Sequence, residues 1–269
     1  MRLIFIATLF VAATLPVFGQ TYNSATGGYN TGYGHMYGSL GMAMATQNLY
    51  NSMQIQMQRA MMREAMIKQH GRAAVEKAER EQAGTAASTA IKVPPPRVVR
   101  NLGKFRPDAT IDTGKLLGDT LGSSPEEKAL LKQVYTTVKS GYEKEASAKG
   151  WQNNIAGALT FFIVSSATVY HDAPEPSDEA VMALYEAINA SIDEIPEFGK
   201  MPNKDKVAFN NLLVAFAAVP LATYAEGKQS GDEATVKTAG QLAGQLLQMV
   251  FKTDPDKIRF ENGAVRFGS

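Results

Sequence analysis

The sequence has no cysteine, three histidines and one tryptophan. Without cysteine there is no disulfide scaffold, no thiol nucleophile and no lipid-modified N-terminus, so the fold must rest on its own apolar core. The histidines, His35, His70 and His171, lie far apart, and no HExxH or Cys/His pairing exists to hold zinc. The nucleophile elbow, the phosphate-binding loop and the dinucleotide fingerprint are absent as well. Charge of one sign is also lacking. The net charge is +1 over 269 residues and falls to zero once Arg2 is set aside. A nucleic-acid binder would show a basic excess. Beyond the first residues no apolar run reaches the ~20 needed to span a bilayer. These absences argue against an enzyme, against a nucleic-acid partner and against a transmembrane segment in the mature chain.

What is present begins with an address. Met1-Arg2 precedes an apolar run from Leu3 to Phe18, with Val17 and Gly19 at the small-residue positions of a cleavage site. This pattern predicts a signal peptide over 1–19, cut before Gln20. A cysteine-free exported chain fits a bacterial periplasmic or secreted protein. Residues 20–41 are rich in Gly, Tyr, Asn, Ser and Thr, and bury too little to offset chain entropy, so a disordered tail is expected.

Residues 42–84 predict a long amphipathic helix, weaker after Gly71. Leu49, Met53, Met57 and Met61 recur every four residues, with Tyr50, Met62 and Met66 alongside. Eight of the twelve methionines fall between Met36 and Met66. Leu49, Met53, Met57, Met61, Met62 and Met66 are therefore the candidate contact residues, for a protein partner or for self-association, since thioethers make an adaptable apolar face. The alternative is copper. Met53, Met57 and Met61 present soft sulfurs on one face, and Cu(I) prefers such ligands in an exported compartment.

Residues 85–103 read as a linker with Pro94-Pro95-Pro96, a semi-rigid extended spacer. Lys92, Arg97, Arg100, Lys104 and Arg106 form a basic run. Asp172, Glu175, Asp178, Glu179, Glu186, Asp193, Glu194 and Glu197 form an acidic one without EF-hand spacing. Docking of the first on the second would be loosened by salt. Phe105 is a candidate anchor, and the stretch from there to Gly122 reads as an irregular lead-in.

Residues 104–269 carry the signals of an all-α bundle of about five helices with a small C-terminal β-hairpin, preceded by the separate Met-rich helix. Ser124-Pro125-Glu126-Glu127 is a capping box with Pro at the first helical position. That helix runs to Lys149 and buries Leu130, Leu131, Val134, Tyr135, Val138 and Tyr142. Gly150 stops it, and so short a connection predicts an antiparallel neighbour. Within the Trp151 to Asp172 stretch, the residues from Ile155 to Tyr170 are apolar or small almost all round, the pattern of a central helix. Ser177 starts a third helix. Asn203 opens a fourth that Pro220 should kink. Ser230 and Glu233 read as the capping box of a fifth. Asn262-Gly263 predicts a hairpin pairing Phe260 with Val265 and Ile258 with Phe267.

Asn153-Asn154-Ile155-Ala156-Gly157-Ala158-Leu159-Thr160-Phe161-Phe162, with helices ending near Tyr224 and the Asp254-Pro255 to Gly263 stretch, resembles an exported bacterial helical family of unknown function. The resemblance covers Phe105 to Phe267. It implies a secreted helical domain behind a variable N-terminal linker, and no activity.

Overall fold

The computed structural model describes residues 22–23, 28–29, 43–84, 99–261 and 264–268. The expected signal peptide, most of the tail, the proline-containing linker and the Asn262-Gly263 turn lie outside the described residues. Within the tail, β1 (Tyr22–Asn23) pairs antiparallel with β2 (Gly28–Tyr29).

Nine α-helices are described: α1 (Ala43–His70), α2 (Arg72–Gly84), α3 (Thr113–Leu121), α4 (Pro125–Lys149), α5 (Ile155–His171), α6 (Asp178–Glu194), α7 (Pro196–Lys200), α8 (Asn203–Ser230) and α9 (Glu233–Phe251). A 3-10 turn at Pro255–Lys257 leads into the hairpin of β3 (Ile258–Glu261) and β4 (Ala264–Phe267). The fold is all-α with a C-terminal hairpin, as the sequence predicts.

Local chemistry sets most boundaries. Ser124 and Glu127 close the expected capping box of α4, and Gly150 ends it in the left-handed region. Asn154 caps α5 by accepting the Ala156 amide, and Ser177 caps α6. α9 departs from expectation. Its cap is Asp232, which accepts the Ala234 and Thr235 amides, while the Ser230 hydroxyl donates back to the Glu226 carbonyl. The lead-in also holds a helix that periodicity does not announce. α3 is nine residues long and is capped by Asp112. It lies so close to α4 that a Cβ on Gly118 would stand 2.8 Å from the Lys128 carbonyl. Glycine there trades helix propensity for contact.

α5 is the centre. Every residue from Ile155 to Val169 is buried. α6, α8 and α9 pack around it, and α8 packs on α9. Phe162 meets Phe216 of α8 at 6.3 Å between ring centroids and Phe251 of α9 at 6.2 Å. α4 is not the side-by-side neighbour predicted for it. It packs along α3 and α8 and reaches α5 through Tyr142 on Phe161, with centroids 5.2 Å apart. Asn153 in the connecting chain is held in the left-handed region at φ 52°. α8 is one helix through Pro220. Among the described residues it alone is long and apolar enough to cross a membrane, and 83% of its apolar window is buried inside the protein. That burial is compatible with a core helix of a soluble protein.

The hairpin has the predicted register, Ile258 opposite Phe267 and Phe260 opposite Val265. Ile258 and Val265 are fully buried, and Phe260 and Phe267 pack on the core.

Phe162→Ala is expected to destabilise the fold by about 3–5 kcal/mol, the range for emptying an aromatic site. Urea unfolding measures this. A loss below about 1 kcal/mol would show that the three-ring contact is not central.

Candidate interaction surface

The described candidate contact residues, Leu49, Met53, Met57, Met62 and Met66, lie on three different faces of α1. Leu49 and Met53 are 0% exposed and Met57 is 8% exposed. Leu49 and Met53 belong to the main apolar core, where α1 packs on α6 and α9. The helix expected to stand apart from the bundle is therefore docked on it. Its stripe had a partner, but that partner is distant in sequence. Each such side chain stabilises by ~1.5–3 kcal/mol when fully buried.

Polar contacts fix the register of this docking. The Tyr50 hydroxyl donates to the Gly268 carbonyl at 2.8 Å, and Gln54 Nε2 donates to the same oxygen at 2.7 Å. The Tyr50 ring stands edge-on to Phe267 at 5.5 Å. On the other flank Glu194 accepts from Gln56 Nε2 at 2.7 Å and from Arg59 at 3.1 Å. These last pairs are exposed and contribute about 0–1 kcal/mol each. α1 thus holds the end of the hairpin against α9.

The second face belongs to α2. Gly71, at φ 82°, breaks the single helix predicted from the sequence, and α2 folds back on α1. Val75 and Ala78 are buried against Met66 and Ile67, and Arg63 grips Glu79 with two bonds of 2.6 and 3.1 Å.

The third face is open. Ile55, Gln58, Met62, Ala65 and Gln69 are all exposed and follow a 3-4-3-4 spacing. The stripe has no charge and is ~21 Å long at 1.5 Å per residue. Ile55 (48% exposed) and Met62 (58%) are two of the four exposed large hydrophobic residues among those described. Of the copper set, Met53 and Met57 are packed inside. The side chain of Met61 lies outside the described residues.

One site escaped the sequence reading. Residues 100–106 lie as a strap across the start of α5, held almost wholly by backbone groups. The buried Asp193 carboxylate accepts the Arg100 and Leu102 amides, both at 2.9 Å. Lys206 donates to the Leu102 carbonyl at 2.6 Å, and burial holds its ammonium below the usual lysine range. The Ile155 amide donates to the Gly103 carbonyl and the Phe105 amide to the Asn153 carbonyl, each at 3.0 Å. Asn203 accepts the Arg106 amide at 2.7 Å and donates to its carbonyl at 3.0 Å. Phe105 packs on the core, as expected of an anchor. The basic segment does meet the acidic stretch here, but a buried carboxylate takes backbone amides instead of pairing surface charges.

Two other acids of the stretch are engaged too. Asp172 bonds Lys228 and Tyr224, which hold its carboxyl below the usual range. Asp178 is likewise lowered by its bond to Lys149. His171 Nε2 lies 2.8 Å from the Ile258 carbonyl, so that nitrogen carries the hydrogen. It ties the end of α5 to the hairpin. Among the described residues no group of three or more His, Cys, Asp or Glu is placed to hold a metal ion.

Asp193→Ala leaves the partly buried Arg100 and Leu102 amides without their charged acceptor, at about 1.5–3 kcal/mol each. Tryptic cleavage at Arg100 and Lys104 is expected to accelerate roughly tenfold or more, while molar salt leaves the native chain unaffected. Equal acceleration by salt alone would restore the surface-charge account of the strap.

Comparison with known proteins adds one finding. A family of unknown function, DUF6683, matches residues 1–267. The match takes in α1, α2 and the linker as well as the bundle on which the sequence resemblance rested. No curated protein and no solved structure matches the chain. A helical bundle, its docked N-terminal helices and the strap between them thus lie within one family match, and the chain belongs to this family of unknown function, DUF6683.

Proposed function

We propose that the chain is an exported, non-catalytic assembly protein that pairs with a second copy of itself through the open face of α1. The N-terminal signal pattern supports export. The observation that carries the assembly reading is the uncharged stripe of Ile55, Gln58, Met62, Ala65 and Gln69 on a helix whose other two faces are already occupied.

A second copy suits this stripe. In a twofold interface each patch meets itself. A charged patch would then face its own charge, whereas this one faces none. Gln58 and Gln69 carry amides that both donate and accept, so they are self-complementary. Ile55 and Met62, seven residues apart, supply the apolar contact of a helix seam. The methionines of the opposite face serve the protein's own packing, so the contact element is α1 but not its buried stripe.

Light scattering on the chain beginning at Gln20 tests the reading. The native protein is expected at twice its chain mass. The double substitution Ile55→Glu, Met62→Glu is expected to halve that mass without changing the helical circular dichroism signal. A native protein that runs as a single chain, or a variant that keeps its mass, would sink the proposal.

A further inference from the structure

We infer that Met62 is an oxidation site for two-electron oxidants of the peroxide class, and that its sulfoxide releases the α1 seam. The second half rests on the self-association reading above.

The chain has no cysteine, so its twelve methionines carry all its sulfur. Accessibility then sorts them. Met53 and Met57 are buried under α1. Met66 packs on α2, and Met182, Met201 and Met249 pack on the core. Met62 is 58% exposed and is the only methionine among the exposed large hydrophobic residues described. Its surroundings on the seam, Ile55, Gln58, Ala65 and Gln69, neither cover it nor carry charge.

The chemistry is closed. A sulfur lone pair attacks one peroxide oxygen and the O–O bond breaks. Sulfur loses two electrons and becomes the sulfoxide. The departing hydroxide takes the proton from the oxygen now bound to sulfur and leaves as water. The product replaces a flexible apolar thioether by a polar, chiral group. Met62 is the middle residue of the stripe, so in a twofold seam its sulfoxide would be desolvated against Met62 of the second copy, which offers no hydrogen-bond donor, while the Gln58 and Gln69 amides are engaged with one another. Oxidant reaches Met62 in the unpaired chain, so oxidation holds the chain in that state. A methionine sulfoxide reductase would reverse it.

Treating the native chain with hydrogen peroxide, then reading peptides by tandem mass spectrometry and mass by light scattering, tests both halves. Fragment ions must separate Met61 from Met62. Met62 is expected to oxidise roughly tenfold faster than Met53 and Met57, with the solution mass halving in step. Met62→Leu keeps the apolar volume and is expected to stay paired under peroxide. Equal rates at Met62 and Met53 would overturn the oxidation site. Complete Met62 oxidation with unchanged mass, or loss of mass by Met62→Leu as well, would overturn the release. A native chain already single before treatment overturns the pairing and the release together, while the peptide rates still decide whether Met62 is the oxidation site.

Discussion

Everything in this fold follows from burying α5 on all sides. A helix with one apolar face needs one neighbour. A helix buried from Ile155 through Val169 needs several, and each of them must in turn be apolar where it touches. α6, α8 and α9 meet this demand by packing beside it, and α4 contributes the ring of Tyr142. The same demand explains the hydroxyls. Thr160 donates to the Ala156 carbonyl one turn earlier, whereas Ser165, Ser166 and Thr168 are buried without a partner among the described residues. Small side chains there let neighbouring helices approach closely, at the cost of an unpaired polar atom.

The start of α5 is where the bundle joins the rest of the chain. Asn154 caps the helix with its oxygen and uses both amide hydrogens elsewhere, on the Tyr185 hydroxyl at 3.1 Å and on Asn189 Oδ1 at 3.2 Å. Its backbone pairs with Lys104 of the strap. One residue thus fixes the helix end and α6 through its side chain and the strap through its backbone. Because α6 also carries Glu194 and packs on α1, the position of the N-terminal helix is set by the same framework. A surface on α1 is therefore coupled to the core through packed elements, not through a loose tether.

Features written in neighbouring residues were legible. The Ser124–Glu127 box, the Gly150 stop, the Ser177 cap and the register of the C-terminal hairpin all depend on contacts within a few positions. The all-round apolar pattern of α5 was equally plain. What escaped depends on distance. Leu49, Met53 and Met57 showed that α1 buries a stripe, but not that the stripe lies on helices more than a hundred residues away. The strap has no sequence pattern because Asp193, Lys206 and Asn203 bind its backbone, which every residue shares. Asp193 stood among eight acids of one stretch, and only its burial separates it from them. α3 was hidden for another reason. Gly114 and Gly118, which let it approach α4, also erase its helical signal.

The docking of α1 changes what its open face can do. An isolated amphipathic helix must be ordered before it can bind, and that ordering opposes association. Here the ordering has already happened. The buried stripe fixes the helix on α6 and α9, Tyr50 and Gln54 fix its rotation against the hairpin end, and α2 stiffens its far half through Arg63 and Glu79. Ile55 and Met62 are then held at a set spacing on a rigid rod. So modest a patch would gain little on a mobile tail. On a pre-positioned helix, most of the contact energy remains for the contact itself. That is the physical reason to propose the face of α1 that the bundle leaves open as the contact.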